Sequence, residues 1–565
     1  MDKLAIYHKD QSNYSFALSN KQVVLRLRVS KKDSFDYIKA IYGLKYGYQV
    51  EQKEIDMSVK YTDKYFNYYE VLIDIDDVRF VYIFKLKINN EIYYYSEEGL
   101  TKEYDFSKAF YSHFQIPYIH NIDTIDKIDW VTKSIFYQIF VDRFNMGSDK
   151  LNKDYINLNW GDIPKGQYDY AGGDLKGIIE KLDYLKDLGI TSLYLTPIFS
   201  ANTNHKYDTV DFYKIDEQFG DKKIFKKLVD ECHKRDMKIV LDMVFNHGSD
   251  ESKEFKHVLK HKKKSKYFDY FMINGDEVDQ EKINYEVFAH CSYHPKFNTE
   301  NKKVRKYLIK VAKYYKNKFN IDGVRLDVSD EVSLNFWFHF REQLKKIDKN
   351  FFIFGENWHD AHKFLQGDKF DSIMNYSVTK AILDLLAYNN LDSENFVYRL
   401  NELVVRNTTN VNLMMINLID SHDTNRFITD VDGDVDKLLL ALSIIFIYIG
   451  VPMLYYGTEI KLDGGYDPLN RKCFNWDQVN KDEKYTSILK QLINLKHNQD
   501  SLIKGDIQIE YKDNLIHITR TYNDEKIKLI INYNNTDINY ISKDLILSNN
   551  YHDNILKHKG FIIEK

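Results

Sequence analysis

VRKYLIKVAKYYKNKFNIDGVRLDV, residues 304–328, decides the fold. Residues 304–318 carry the apolar periodicity of a helix, and 322–328 read as a strand that ends on a carboxylate. The same alternation extends outward. Toward the N-terminus come a strand at 238–244, a helix at 224–235, a strand at 191–196, a helix at 174–188 and a strand at 134–141. Toward the C-terminus come a helix at 332–347 and strands at 351–354, 372–375, 412–418 and 451–455, with helical stretches between them. Gly189 and Pro197 punctuate junctions. About eight β/α units predict a (β/α)8 TIM barrel, whose active site lies at the carboxyl ends of its strands.

The flanks have a different rhythm. Residues 1–126 alternate with period two, most clearly in VVLRLRV (23–29) and VRFVYIFKLKI (78–88), which predicts an antiparallel β-sandwich. Beyond residue 498, DIQIEY, LIHITRTY and KIKLIINY predict a small C-terminal β-domain. The expected organisation is multidomain: an N-terminal antiparallel β-sandwich at 1–126, a central barrel at 127–498 with a loop subdomain at about 248–298, and a β-domain at 499–565.

Composition excludes several function classes. A formal net charge of −4 gives no basic footprint for nucleic acid. Cys232, Cys291 and Cys473 are too few and too far apart for a disulfide framework or a zinc site. The opening MDKLAIYHKDQS lacks a signal-like apolar core and no later run approaches a membrane span, so a cytoplasmic protein without a membrane partner is expected. The run HKKKSK (261–266) reads as a solvated helix end or loop.

Four short stretches place charged side chains where strands run out: DMVFNH (242–247), GVRLDV (323–328), FGENW (354–358) and IDSHD (419–423). Cutting a glycosidic bond with retention needs a nucleophilic carboxylate and a proton donor, roughly 5 Å apart. Arg325 and Asp327 are two residues apart and project from one face of a strand; the guanidinium is expected to hold Asp327 ionised with a lowered pKa, as a nucleophile requires. Glu356 follows the apolar run FFIFG and is flanked by Trp358, a partly desolvated setting that suits a general acid. Asp423 and His422 form a pair suited to gripping sugar hydroxyls. Taken singly, an Arg-x-Asp is more often a structural ion pair, and a neighbouring His and Asp more often a loop contact. Their shared position after strands of one barrel favours chemistry.

In these residues and their order the chain resembles the α-amylase family of glycoside hydrolases, from SIFYQIFVDRF (134–144) to YYGTEI (455–460). HPKFNTEN (294–301), NHKYDT (204–209), ENWHDA (356–361) and the β-rich N-terminal region resemble the neopullulanase, cyclomaltodextrinase and maltogenic amylase group. The resemblance implies Asp327 as nucleophile, Glu356 as acid/base and Asp423 as transition-state stabiliser. It implies sugar contacts from Arg325, His205, His247 and His422, stacking by Tyr207, and binding of the adjacent glucose by Asp467 and Arg471. Phe288 and Trp358 would shape the acceptor side.

The implied substrates are cyclodextrins, maltooligosaccharides and pullulan, cleaved at α-1,4 and α-1,6 bonds with transglycosylation. Alternatives are an α-glucosidase or transglycosylase of the same superfamily, or a non-catalytic carbohydrate-binding scaffold. A homodimer is also implied. No organic cofactor is expected. The stretch VSDEV (328–332) lacks the His that helps many family members hold calcium, which makes Asn246 structural. A second calcium, held by Asn145, Asp149, Gly173 and Asp174, remains an expectation although NMGSDKLNKD is a degenerate form of that loop.

Overall fold

The computed structural model describes residues 1–109, 111–148 and 153–565. Eight parallel strands lie at its centre: β1 (Phe136–Ile139), β2 (Ser192–Leu195), β3 (Lys238–Met243), β4 (Gly323–Leu326), β5 (Phe352–Gly355), β6 (Ser372–Ile373), β7 (Ile416–Asn417) and β8 (Val451–Tyr455). Hydrogen bonding runs β6-β5-β4-β3-β2-β1-β8-β7. A single parallel bridge, Met374 to Ile416, joins β6 to β7 and closes the barrel. Asn375 Nδ2 reinforces that seam by donating to Asn417 Oδ1 at 2.9 Å.

The barrel interior is filled by Phe136, Tyr194, Val240, Phe352, Phe354, Met374 and Met453, all buried. Strands covered on both faces read as continuous apolar runs, which is why the sequence declared them. Several elements are shorter than their sequence signal. The helix expected at 174–188 is two helices, Leu175–Glu180 and Leu182–Leu188, meeting at Lys181. The strand expected at 412–418 begins as a helical turn, Thr409–Asn412, and only Ile416–Asn417 is strand. Apolar burial alone cannot separate a short strand from a buried helical turn. Similarly, β1 ends at Ile139 and Val141–Phe144 turns into a short helix.

The lower, N-terminal rim of the barrel is tied by ion pairs. Asp322, immediately before β4, accepts from His233 Nε2 at 2.8 Å, Lys238 Nζ at 3.0 Å and the Ile239 N–H at 3.0 Å. Asp371, immediately before β6, accepts from Arg341 Nη1 at 2.6 Å, Lys345 Nζ at 2.9 Å and the Ile353 N–H at 2.9 Å. Burial opposes both charges, but these partners outweigh it and hold both carboxyls below their ordinary range.

The N-terminal strands form an antiparallel sandwich. Strand Lys53–Thr62 pairs through its first half with Tyr37–Leu44 and through its second with Phe66–Asp74, so it passes from one sheet to the other. The C-terminal strands, Asp506–Lys512 to Ile555–Glu564, make a six-stranded antiparallel sheet. Asn401, on helix Ser393–Val405, is a meeting point of all three regions: its Nδ2 donates to Thr62 O at 2.9 Å and to Ile509 O at 3.0 Å. Among the described residues no helix is long and apolar enough to cross a membrane.

Candidate active site

Above the apolar fill, the inward rows of β3 and β4 end in charge. Asp242 and Arg325 are paired in the sheet register. Arg325 Nη1 donates to Asp242 Oδ2 at 2.9 Å and to Asp327 Oδ1 at 2.7 Å. Its Nη2 lies 3.0 Å from Glu356 Oε2 and 3.7 Å from Asp423 Oδ2, without an aligned hydrogen bond to either. One fully buried guanidinium thus touches four carboxylates.

β4 stops at Leu326, one residue earlier than Asp327, because the chain turns sharply there: Val328 sits in the left-handed region at φ 44°. For a β-branched residue that conformation costs on the order of 1–2 kcal/mol. It aims the Val328 N–H at Glu356 Oε2, 2.9 Å away. Gly355 permits the close approach of this turn, since a Cβ there would stand 2.5 Å from Ser329 Oγ. Ser329 Oγ in turn donates to Glu356 O at 2.6 Å. Trp358 Nε1 donates to Glu356 Oε1 at 2.9 Å, and its ring lies on Tyr376 with centroids 3.8 Å apart and planes within 5°.

Asp423 is the most open of the four, its side chain 27 % exposed; His422 Nε2 is 3.1 Å from its Oδ2. His422 Nδ1 meets Gln138 Nε2 at 2.6 Å, and the Tyr207 ring lies parallel to the imidazole within 3° and meets its Nε2 edge-on through the hydroxyl at 2.5 Å. The Tyr207 hydroxyl also donates to Asp242 Oδ2 at 2.8 Å. His205 accepts the Tyr207 N–H at 3.1 Å through Nδ1. His247 stacks on Phe288 and on His294 with centroids 4.8 and 4.5 Å apart, and among the described residues its Nε2 has no hydrogen-bond partner. Phe288 and His294 bring the 248–298 loop against this side of the cleft. Arg471 donates from Nε to His422 O at 3.0 Å, forms an ion pair with Asp467 through Nη1 at 2.9 Å, and stands 3.7 Å from Asp423. Every residue expected from the sequence to bind sugar therefore lines or supports one cleft.

Electrostatically the cleft departs from expectation in one respect. Arg325 was expected to lower the pKa of Asp327, yet burial, reinforced by Glu356, Asp242 and Asp423, holds that carboxyl well above its usual range. The guanidinium is shared too widely to win. Burial likewise pushes Asp242 up to about 6, against Arg325, and raises Asp423 against Arg325 and Arg471. Groups this close exchange protons as a set. Burial lowers His205, His247 and His422 well below the ordinary imidazole value, leaving neutral rings able to donate and accept with hydroxyl groups.

Sequence reasoning overlooked Asp242, Tyr194, Gln138, Tyr376 and His294 as site residues. Tyr194 donates to Asp242 Oδ2 at 2.6 Å. The signal for the first three was present: polar side chains facing inward on strands otherwise filled with apolar residues.

Among the described residues, the oxygens expected to face calcium are met by protein donors. Asp174 caps helix Leu175–Glu180 by accepting from the Gly177 N–H at 2.7 Å, and Lys153 Nζ lies 3.7 Å from its other oxygen. Lys153 also donates to Gly147 O at 2.9 Å, and Asn145 Nδ2 donates to Gly177 O at 3.1 Å. An ammonium thus stands among the oxygens that would face the ion. The Gly173 N–H donates to Asp142 O at 2.9 Å, and Asp149 lies outside the described residues. At Asn246, Oδ1 accepts from Lys296 Nζ, which also reaches Glu331 Oε2 at 3.1 Å, in keeping with a structural role.

Comparison with known proteins identifies the family. The family description "Alpha amylase, catalytic domain" matches residues 138–520, and "Alpha amylase, N-terminal ig-like domain" matches residues 1–120. The chain is 38 % identical over 538 residues to a cyclomaltodextrinase of a Bacillus species, covering 94 % of this chain and 95 % of that protein. It is 36 % identical over 535 residues to an intracellular maltogenic amylase of Bacillus subtilis, covering 93 % and 90 % respectively. A solved cyclomaltodextrinase structure superimposes with a TM-score of 0.92 at 34 % identity, over 100 % of both chains.

Proposed function

The chain belongs to the α-amylase family of glycoside hydrolases, and from that premise we propose that Asp327, Glu356 and Asp423 cleave α-1,4-linked glucans, with cyclodextrins and maltooligosaccharides as substrates and net retention at the anomeric carbon. The observation that carries this reading is Arg325, whose two terminal nitrogens hold Asp327 and Glu356 at 2.7 and 3.0 Å. That spacing suits a retaining pair, roughly 5 Å apart, better than the wider separation that admits a water between them.

Arg325 engages Asp327 Oδ1, and among the described residues no hydrogen bond engages Oδ2, which attacks C1. The C1–O bond breaks as Glu356 gives its proton to the departing oxygen, leaving a β-glycosyl ester on Asp327. Glu356, now ionised, takes a proton from water or from an incoming sugar hydroxyl; that oxygen attacks C1 and frees Asp327. When Glu356 carries its proton, the oxygen that bears it accepts its hydrogen bond more weakly. Trp358, 41 % exposed, can release more readily than the backbone N–H of Val328. Asp423 and the neutral imidazole of His422 grip ring hydroxyls, contacts that help most if they tighten as the ring flattens. Arg471 and Asp467 would hold the next glucose. Release to a sugar rather than to water gives transglycosylation, and Trp358 with Phe288 offers the aromatic surfaces on which an acceptor sugar packs.

A homodimer in the cytoplasm is part of the reading. Leu44, Tyr46 and Val50 are 49, 83 and 90 % exposed on the N-terminal region, an apolar patch that a partner would cover. The name of the Bacillus subtilis relative supports the compartment. Light scattering at micromolar concentration should give twice the 67.4 kDa chain mass; a monomer counts against it.

Product analysis on cyclodextrins, pullulan and soluble starch, with the anomer followed by NMR and a Glu356→Gln control, tests the function. Ring opening to short maltooligosaccharides as α-anomers is expected, with panose from pullulan if α-1,4 bonds there are reached. Initial β-anomers, or no hydrolysis by folded protein, would overturn it.

A further inference from the structure

On the outside of the barrel, helices Lys302–Phe319 and Leu334–Lys345 leave an open groove of about 890 Å³ between them. Arg305, Lys306, Lys310, Lys313 and Lys318 line it, His339 stands on the other helix, and among the described residues no carboxylate lines it. The first helix carries eight basic side chains and no acidic one. Of these only Lys316 is ion-paired among the described residues, to Asp348 at 2.8 Å. Lys313 Nζ donates to the neutral Gln343 Oε1 at 3.2 Å instead.

Lys302, Lys306, Lys310 and Lys313 follow one another at steps of four, four and three residues, so they form a single stripe of mutually repelling charge. Elsewhere on the same barrel such repulsion is cancelled. Helix Lys222–Lys234 pairs Lys226 with Asp230, and Glu231 with Lys234 at 2.6 Å and Arg235 at 2.8 Å. The field at the groove is felt locally: burial would raise the Tyr314 phenol, but Lys222 and Lys318 outweigh it and lower its pKa. All this occurs in a chain of net charge −4.

We propose that this groove binds a linear polyphosphate chain along the cationic stripe. Lysine ammonium groups are point-charge partners for phosphate, and here they rise along the axis in steps of roughly 4.5–6 Å, from 1.5 Å per residue. Single-stranded nucleic acid is disfavoured because its bases need aromatic platforms, and among the described residues only Tyr314, overlain by Lys222 and Lys318 at 5.5 and 5.4 Å, and the His339 imidazole offer rings in the groove. A protein ligand is disfavoured because Ile309 and Tyr314 alone offer apolar anchorage.

The test is titration of the full-length protein with fluorescent short-chain inorganic polyphosphate. Binding is expected at about 50 mM salt, weakening about 50-fold at about 200 mM if four phosphates are neutralised. Changing Lys306, Lys310 and Lys313 together to Glu, or in a second variant to Gln, should weaken binding at least tenfold and leave cyclodextrin hydrolysis unchanged, which also reports folding. A charge-matched control changes Lys262, Lys263 and Lys264 to Glu, on the exposed end of helix Lys253–His261, and should bind like the parent protein. No binding at low salt, equal loss in the control, retention by both groove variants, or tighter binding of a single-stranded RNA with the same number of phosphates would each overturn the proposal.

Discussion

The two ends of the barrel use the same residue type to opposite effect. At the lower rim, Asp322 holds Lys238, His233 and a backbone N–H, Asp371 holds Arg341, Lys345 and a backbone N–H, and both sit below the ordinary carboxylate range. At the upper rim, Asp242, Asp327 and Asp423 share Arg325 with Glu356, and burial raises all three aspartates. Anions outnumbered by donors stabilise the fold. Anions crowded around one donor store unfavourable charge that a sugar developing positive character can relieve. A strand's two ends thus separate stability from chemistry, as expected of this architecture.

The sharpest way to break the comparison is to remove one charge from each end. Asp327→Asn or Glu356→Gln should lower kcat on cyclodextrins by roughly 10⁴-fold or more, with a melting temperature equal to or above the parent's because crowding is relieved. Asp371→Asn should reverse the pattern. It leaves Arg341 and Lys345 facing a neutral amide and should cost about 3–5 kcal/mol of stability, read by chemical denaturation, with kcat nearly unchanged. Similar behaviour of the two variants would dissolve the distinction.

A pH series sharpens it. A carboxyl raised in the fold contributes stability that is fully present below the unfolded value near 3.9 and is lost as pH rises through the folded value. For Asp242 that window is about pH 4 to about 6. A depressed carboxyl does the reverse: its contribution is present above the unfolded value and is lost as pH falls through the lower folded one. Calorimetry between about pH 3 and 7 should therefore show the Asp327→Asn melting point gaining on the parent as pH rises. The deficit of Asp371→Asn should shrink on acidification below about pH 4. The smallest effect concerns a third aspartate, Asp174, already satisfied by the Gly177 N–H and approached by Lys153. A calcium chelator should leave the melting transition where it was; a clear fall would restore the metal.

These contrasts also show what a linear sequence discloses. The barrel was legible because buried parallel strands are apolar throughout, and Asp327, Glu356 and Asp423 were legible because each breaks such a run at its end. The upward shift of the Asp327 carboxyl was not, because it depends on burial and on how many carboxylates converge on Arg325 from four strands. Asp242 stood inside a recognised motif without a role, since its partners Tyr194 and Tyr207 lie far from it in sequence. The groove cations were visible as letters, but composition averaged them away against acidic residues on other faces.

The closing bridge of the barrel has a kinetic consequence. β6 and β7 are two residues long and meet through Met374 and Ile416. Two positions beyond the bridge in sequence, Tyr376 carries Trp358, which carries Glu356. The stave most easily parted is therefore wired to the proton donor. On warming, amide hydrogen exchange should accelerate first along this seam, and turnover should fail while the remaining staves are still closed.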